Sequence, residues 1–345
     1  MKTCINISII FVLLWTADIF AGDLEPSAAP GSTMKTLDEV EPRIPITQGD
    51  IPLTISSPGS YYLAGDVTAA ATAITVSADN VTIDLMGYSV TGPGAGYGVN
   101  MASGENIEIR NGTITNFQTG IYDGSSTGGG HRIINVRAES NTCSGIILYG
   151  TACMIKDCTV YNNGQSSTSI IYGIYTYTGA LIAGNVIAQN GSETKGNFYG
   201  IYAGYGAAIK GNQIYHNADS SQALYNYGIY AYSGCSIIDN GIFGNAGYAV
   251  GNFYGIHTYY AGTISGNTVN TNAGSSSGSV YGIKAGSGAA VNGNSVCHNG
   301  SSSSSSVIGI YLTSYNLADQ NSSYGNAGTN MQVGADCVLG SNVAP

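Results

Sequence analysis

The chain has 345 residues, a formal net charge of −10, and charged side chains at only 9% of positions. Its Lys and Arg residues, 10 in all, form no basic patch to neutralise phosphates, which argues against a nucleic-acid partner. Gly (50) and Tyr (26) are abundant.

At the N-terminus Lys2 precedes an apolar run from Ile5 to Trp15 that ends near Ile19-Phe20-Ala21. Residues 1–21 read as a signal peptide cleaved near Ala21. The run is too short to span a bilayer, and Cys4 lies before it, where a lipoprotein cysteine does not belong. A secreted protein is expected, extracellular or periplasmic, with no transmembrane segment after cleavage. Residues 22–45 hold Pro26, Pro30, Pro42 and Pro45 among charged residues and read as a Pro-rich linker. Residues 46–95 read as the first coils of the folded region, and residues 96–345 as its repeats.

The repeats announce themselves by a Gly followed by a β-branched residue, from Tyr97-Gly98-Val99 through Ser144-Gly145-Ile146 to Ile308-Gly309-Ile310. From Gly145 onward these glycines recur every 27 or 28 residues. Two asparagine columns keep the same step. One runs Asn163, Asn190, Asn217, Asn245, Asn272, Asn299 and Asn326; the other runs Cys158, Asn185, Asn212, Asn240, Asn267, Asn294 and Asn321. Each repeat thus holds a Gly-Ile strand, a strand such as Ile209-Lys210-Gly211-Asn212-Gln213-Ile214, and an Asn-bearing turn. Alternation has period two with no helical stretch after residue 46. No proline interrupts the chain between Pro93 and Pro345, which suits unbroken strand pairing.

A fixed period of this size means a stacked array. Propeller blades need roughly 40–50 residues, and the Leu framework of leucine-rich repeats is missing. A parallel β-helix fits, with coils about 4.8 Å apart. Stacked asparagines can hydrogen-bond from coil to coil, and Asn tolerates the left-handed backbone of a turn. The fold expected is all-β: a single-stranded right-handed parallel β-helix, a solenoid of roughly ten or eleven coils.

The Gly-Ile-Tyr and Ile-x-Gly-Asn-x-Ile patterns resemble the right-handed β-helix repeats of the pectin-lyase-like superfamily over about residues 46–340. Pro58-Gly59-Ser60-Tyr61-Tyr62-Leu63 and the segment Asp79 to Tyr88 are similar to the first coils of its secreted bacterial members. The resemblance implies the fold; lyases, hydrolases, epimerases, adhesins and non-enzymes all share it. Signatures of its enzymes are missing. There is no Arg-x-x-Pro of pectate lyases, no Asp-Asp pair or Gly-His-Gly of polygalacturonases, and no Asp-Pro-His of alginate epimerases.

Charge gathers only in residues 105–157. Glu108 is expected one coil from Arg132; Arg137 and Glu139 share a strand face. Asp123 and His131 flank the glycine-rich segment Gly124 to Gly130. A polysaccharide lyase needs a base that removes a proton beside the sugar carboxylate, and a cation that offsets the charge. Arg137 or Lys156 would be that base, with Asp123, Glu139 and Asp157 as ligands of a Ca²⁺-like ion. Outside that case no cofactor is expected. His216, His257 and His298 read as ordinary surface residues. The absence of a Met/His cluster speaks against copper handling, known for some periplasmic proteins of this fold.

Tyrosine is the other signal. Tyr175, Tyr202 and Tyr230 fall two positions after the landmark Gly, and Tyr177, Tyr232 and Tyr259 two further on. With Ile at Gly+1 pointing inward, these six are expected to form an outward strip that packs flat against sugars. The Ser-, Gly- and Asn-rich loops, such as 164–171 and 191–198, stand beside it as a groove wall. Six cysteines remain after cleavage and read as buried apolar fillers. The expected function is a non-catalytic extracellular or cell-surface protein that binds polysaccharide or another cell-envelope component, or adheres through it. The alternative is a divergent polysaccharide lyase or related carbohydrate-active enzyme.

Overall fold

The structure, a computed structural model, describes residues 42–302 and 306–345. The expected signal peptide lies outside them, as does the linker up to residue 41. Ile44–Ile46 already pairs in parallel with the strand Gly59–Leu63. The body from Arg43 to Pro345 is a parallel β-helix with two sheets. One has 12 strands, from Leu53–Ile55 to Thr329–Val333. The other has 22, mostly three-residue strands in two side-by-side columns. Every pairing is parallel and joins a residue to its equivalent one coil on: Ile174 to Ile201, Ile201 to Ile229, Ile229 to Ile256.

Alternation decides what lies inside. Ile174, Ile201, Ile229, Ile256 and Ile283 project inward from the 12-stranded sheet and are fully buried. Ile182, Ile209 and Ile237, with Ile187, Ile214 and Ile242, meet them from the other sheet. The landmark glycine stands within a strand of the 12-stranded sheet, as Gly228 does in Tyr225–Ser233. A Cβ at Gly228 would lie 2.6 Å from the carbonyl oxygen of Gly255 and 2.9 Å from Ile242 Cγ2. Close approach, rather than an unusual backbone angle, therefore requires glycine there.

Both asparagine columns are buried ladders. Asn217 Nδ2 donates to Asn245 Oδ1 (2.9 Å) and to the Ile187 carbonyl (2.9 Å), while its own Oδ1 accepts from Asn190 N (2.9 Å) and Asn190 Nδ2 (2.9 Å). Asn185, Asn212, Asn240, Asn267 and Asn294 repeat the arrangement in the second ladder. The ladder residues do not themselves take the left-handed conformation. The residue before each does: Gln189, His216, Thr271 and His298 in one column, and Asp157, Gly184, Gly211 and Asp239 in the other, all with φ between 51° and 66°. The left-handed residue turns the chain, and the following Asn amide fills the backbone bonding that the turn leaves open.

Candidate functional site

The charged coils form a chain of ion pairs. Arg110 Nε meets Asp84 Oδ2 (2.9 Å) and its Nη1 meets Glu108 Oε1 (2.9 Å); Arg132 Nε donates to Glu108 Oε2 (2.7 Å). Burial alone would push the Asp84 carboxyl up, but the Met86 N–H, the Asn111 amide and Arg110 outweigh it and hold it below the usual range. Glu108 and Arg132 are strand partners, as the spacing predicts.

Arg137 lies 3.9 Å from Glu139 and donates from Nη1 to Thr113 Oγ1 (3.4 Å). Lys156 Nζ lies 2.8 Å from Asp157 Oδ2. Arg137 and Asp157 line one notch of about 300 Å³ with Asn111, Asn135, Thr113 and Thr159. Lys156 and Glu139 are not among its lining residues. Asn111, Asn135 and Asp157 are successive left-handed turn residues, a position that selects Asn, Asp or Gly for backbone reasons alone.

Asp123 is elsewhere. It sits buried at the end of Thr119–Asp123 in the 12-stranded sheet, accepting the N–H groups of Ser125 (2.8 Å) and Gly150 (2.7 Å). His131 is buried beside it, with Nε2 3.8 Å from Asp123 Oδ2. Burial depresses the His131 pKa against the opposing pull of Asp123 and Glu105. The three proposed cation ligands are thus engaged apart. Among the described residues no group of three or more His, Cys, Asp or Glu is placed to hold a metal ion.

The tyrosines occupy the outer face of the 12-stranded sheet in three columns. Tyr175, Tyr202 and Tyr230 are register partners with ring centroids 4.9 and 5.1 Å apart and planes within 18°. Beside them Tyr172, Tyr199, Tyr227, Tyr254 and Tyr281, the residues before the landmark glycines, make a second stack at 4.8–5.3 Å. The two columns meet edge to face: Tyr199 and Tyr202 lie 5.4 Å apart at 78°. Stacking covers the ring faces with neighbours, which corrects the expected open strip. Tyr175 is only 8% exposed. Burial first, and then neighbouring phenols, push the hydroxyls of Tyr172, Tyr175, Tyr227 and Tyr230 far up, and that of Tyr254 to about 12. These hydroxyls remain neutral donors.

The third column is different. Tyr177, Tyr205 and Tyr259 are 41–48% exposed. Tyr177 and Tyr205 meet at 85° and Tyr205 and Tyr232 at 67°; Tyr232 and Tyr259 stack at 5.3 Å and 5°, and Tyr260 stands across both at 89° and 88°. The exposure of these rings sets aromatic surface against solvent. Tyr205 and Tyr260 escape a reading of that spacing because they stand one position later, where Thr178 and Ser233 occupy the neighbouring coils.

His257 and Lys284 continue the Tyr230 column. His257 is not an ordinary surface residue: it is wedged 5.1 Å from the Tyr254 ring, its Nδ1 buried without a partner. Burial, and then Lys284, lower its pKa to about 3. Lys284 Nζ lies over the rings of Tyr254 and Tyr281 (5.4 and 5.5 Å). The corner loops stack too, through bonds such as Lys195 N to Ser167 O (2.8 Å) and Gln222 N to Thr194 O (2.8 Å). All six described cysteines are free thiols; Cys153, Cys158, Cys235 and Cys297 are buried, and burial raises Cys158 to about 12.

No helix among the described residues is long and apolar enough to cross a membrane, and no curated protein matches the sequence. Solved structures do match. The A-module of a mannuronan C-5 epimerase from Azotobacter vinelandii superposes with a TM-score of 0.59 at 15% identity, over 83% of this chain and 87% of that one. The catalytic unit of an alpha-1,3-glucanase from Streptomyces thermodiastaticus gives 0.50 at 13% identity, over 87% of this chain and 60% of that one. At these identities the likeness is one of fold. Residues 69–243, just over half the chain, match the family described as the right handed beta helix region. That match covers the ion-paired coils and the first ladder coils alike, and the chain belongs to the right-handed β-helix family.

Proposed function

We propose that this protein is a secreted, non-catalytic polysaccharide-binding β-helix protein that holds an extended glycan along its tyrosine face. The observation that carries the reading is the outer group of rings, Tyr177, Tyr205, Tyr232, Tyr259 and Tyr260, four of which are 41–48% exposed, beside two columns of neutral hydroxyls. Ring faces take the C–H side of a pyranose, and phenol hydroxyls donate to its oxygens. The inner columns are the rigid support, so little ordering is required on binding. Similarity in fold to an epimerase of mannuronan and a glucanase supports a polysaccharide ligand. The test is glycan-array retention of the parent against a Tyr177/Tyr205/Tyr259→Ser variant. Each open ring is expected to contribute about 0.5–1.5 kcal/mol, so retention should fall steeply. Equal retention by a folded variant would remove the face from consideration.

A second reading, a divergent lyase, draws on the notch that joins Arg137 to Asp157. In it Arg137 or Lys156 is the base and a divalent cation offsets the uronate charge. Release of unsaturated products from a uronate polymer, lost in both Arg137→Ala and Lys156→Ala, would support it. A cation dependence without loss in either variant would exclude these two residues.

A further inference from the structure

The left-handed turn column of the 22-stranded sheet opens into a second notch at a different height from the one at Arg137. It has a volume of about 390 Å³, and Gln213, Asp239, Phe243, Thr268 and Asn270 project around it. Its floor exists because Gly241 and Gly266 carry no side chains. The Gln213 amide lies across Gly241, its Oε1 2.5 Å from where a Cβ would stand, and the Asp239 carboxylate lies in the same way across Gly266. Phe243 forms one wall. Its ring stacks on Tyr215 at 4.9 Å and 8°, so one face is covered. The next residue in that column is Asn270, too short to cover the other face. Phe243 is the end of a two-ring stack, with its free face turned to the notch.

The carboxylate beside it is also uncommitted. Asp157, its equivalent in the other notch, is paired with Lys156. Asp239 makes no ion pair and no side-chain hydrogen bond among the described residues; Ile238 precedes it, and Lys210, the register partner of Ile238 one coil away, forms no ion pair with it. An open ring face, an unpaired carboxylate, two amides and a hydroxyl around one cavity match a pyranose unit. The ring takes the C–H face, the carboxylate accepts hydroxyl hydrogens, and the amides serve either role. The lone negative charge selects against a uronate or sulfated sugar.

We propose that this notch is a second carbohydrate subsite, on the other sheet from the tyrosine face, that takes a neutral pyranose unit. The two sites lie on separate sheets of one rigid coil stack, so a chain bound at one leaves the other open. The protein would then bridge two glycan chains.

The test is an NMR titration of the full chain with maltohexaose, cellohexaose and laminarihexaose, with a mannuronate hexamer as the acidic control. At least one neutral hexamer should shift the Phe243, Thr268 and Asn270 signals. Phe243→Ser should weaken that binding at least tenfold and Asp239→Asn several-fold, while Tyr177/Tyr205/Tyr259→Ser leaves it unchanged. Asp239→Asn keeps a residue suited to the turn, so it reports on the site even if Phe243→Ser folds poorly. The proposal is overturned if no neutral hexamer binds, if the mannuronate hexamer shifts the same signals equally, or if Phe243→Ser and Asp239→Asn both leave affinity intact. Neutral binding lost only in the tyrosine variant would overturn the notch while leaving the tyrosine-face reading in place.

Discussion

Coils before residue 158 and coils after it share their backbone pairing but are locked by different side chains. The early coils use charge in alternating sign: Asp84 faces Arg110 one coil on, and Glu108 faces Arg132. The later coils use one residue repeated, Asn on Asn on Asn. The reason is self-complementarity. An amide both donates and accepts, so identical amides stacked about 4.8 Å apart satisfy each other without limit. Identical charges at that spacing repel, so a charged column must change residue at each step and soon ends. Regular repeats and dense charge therefore meet only at a boundary: the buried ladder begins at Asn141, whose Nδ2 donates to Asn163 Oδ1 (2.8 Å) from the coil that carries Arg137 and Glu139.

Removing one ladder amide has the largest expected effect. Asn217→Leu leaves Asn190 N without its acceptor and removes the side-chain donor to the Ile187 carbonyl, while Asn190 Nδ2 keeps the Val160 and Ala188 carbonyls and Asn245 Oδ1 keeps the Asn217 N–H. One or two unpaired buried groups at about 1–3 kcal/mol each make a loss of roughly 2–4 kcal/mol the expected outcome. Urea unfolding measures it. An unchanged midpoint would mean the ladder contributes nothing beyond filling space.

Next in size is the landmark glycine. Gly228→Ala drives a methyl into the Gly255 carbonyl and Ile242, an overpacking that costs about 1–3 kcal/mol. Calorimetry of this variant beside Gly211→Ala separates two requirements for glycine. Gly211 has φ 64° with open space around its Cβ position, so its penalty is conformational only and stays near 1 kcal/mol.

The period, the two-sheet coil and the ladders were legible in the sequence because each repeats a residue at a fixed step. What escaped was whatever depends on one neighbour rather than on a column. Equal spacing placed Tyr175, Tyr202 and Tyr230 on one outer strip, and they are there. Their stacking on one another covers their faces, and Tyr172, Tyr199 and Tyr227 one column away bury them further in edge-to-face contacts. The expected cation ligands stand apart for the same reason. Asp123, Glu139 and Asp157 are close in sequence, but they lie on different sheets or edges, each with its own partner. His257 looked solvated among uncharged residues; the uncharged residues are tyrosines that bury it.

That histidine makes the later coils sensitive to acid. Its folded pKa, about 3, lies below the unfolded value, so the unfolded state takes up a proton first as pH falls. Stability from the neutral imidazole is complete above about pH 6.5 and is lost progressively toward pH 3. Between pH 7 and pH 5 this amounts to roughly 2 kcal/mol at 1.36 kcal/mol per unit. His257→Tyr restores the column residue and should lose that much less over the same interval. Equal losses in parent and variant would place the acid sensitivity elsewhere.

In the early coils Glu108→Gln should cost about 1–2 kcal/mol, because Glu108 is buried while Arg110 and Arg132 stay partly solvated. The loss should shrink in high salt, whereas that of Asn217→Leu should not. A salt-independent Glu108 effect would show that packing, not charge, holds these coils.

The smallest effects belong to the exposed pairs. The Arg137 side chain is 58% exposed and 3.9 Å from Glu139; Lys156 and Asp157 are both about half exposed. Ion pairs in this setting contribute about 0–1 kcal/mol, so Arg137→Ala and Lys156→Ala should each move the unfolding midpoint by less than about 0.5 kcal/mol. A larger loss would assign Arg137 to the locking of the early coils, as a third member of the Asp84–Arg110 and Glu108–Arg132 series. A loss near zero leaves both residues unused by the fold. Any glycan binding or cleavage that then disappears in either variant reports on the notch itself, because the coils around it stand unchanged.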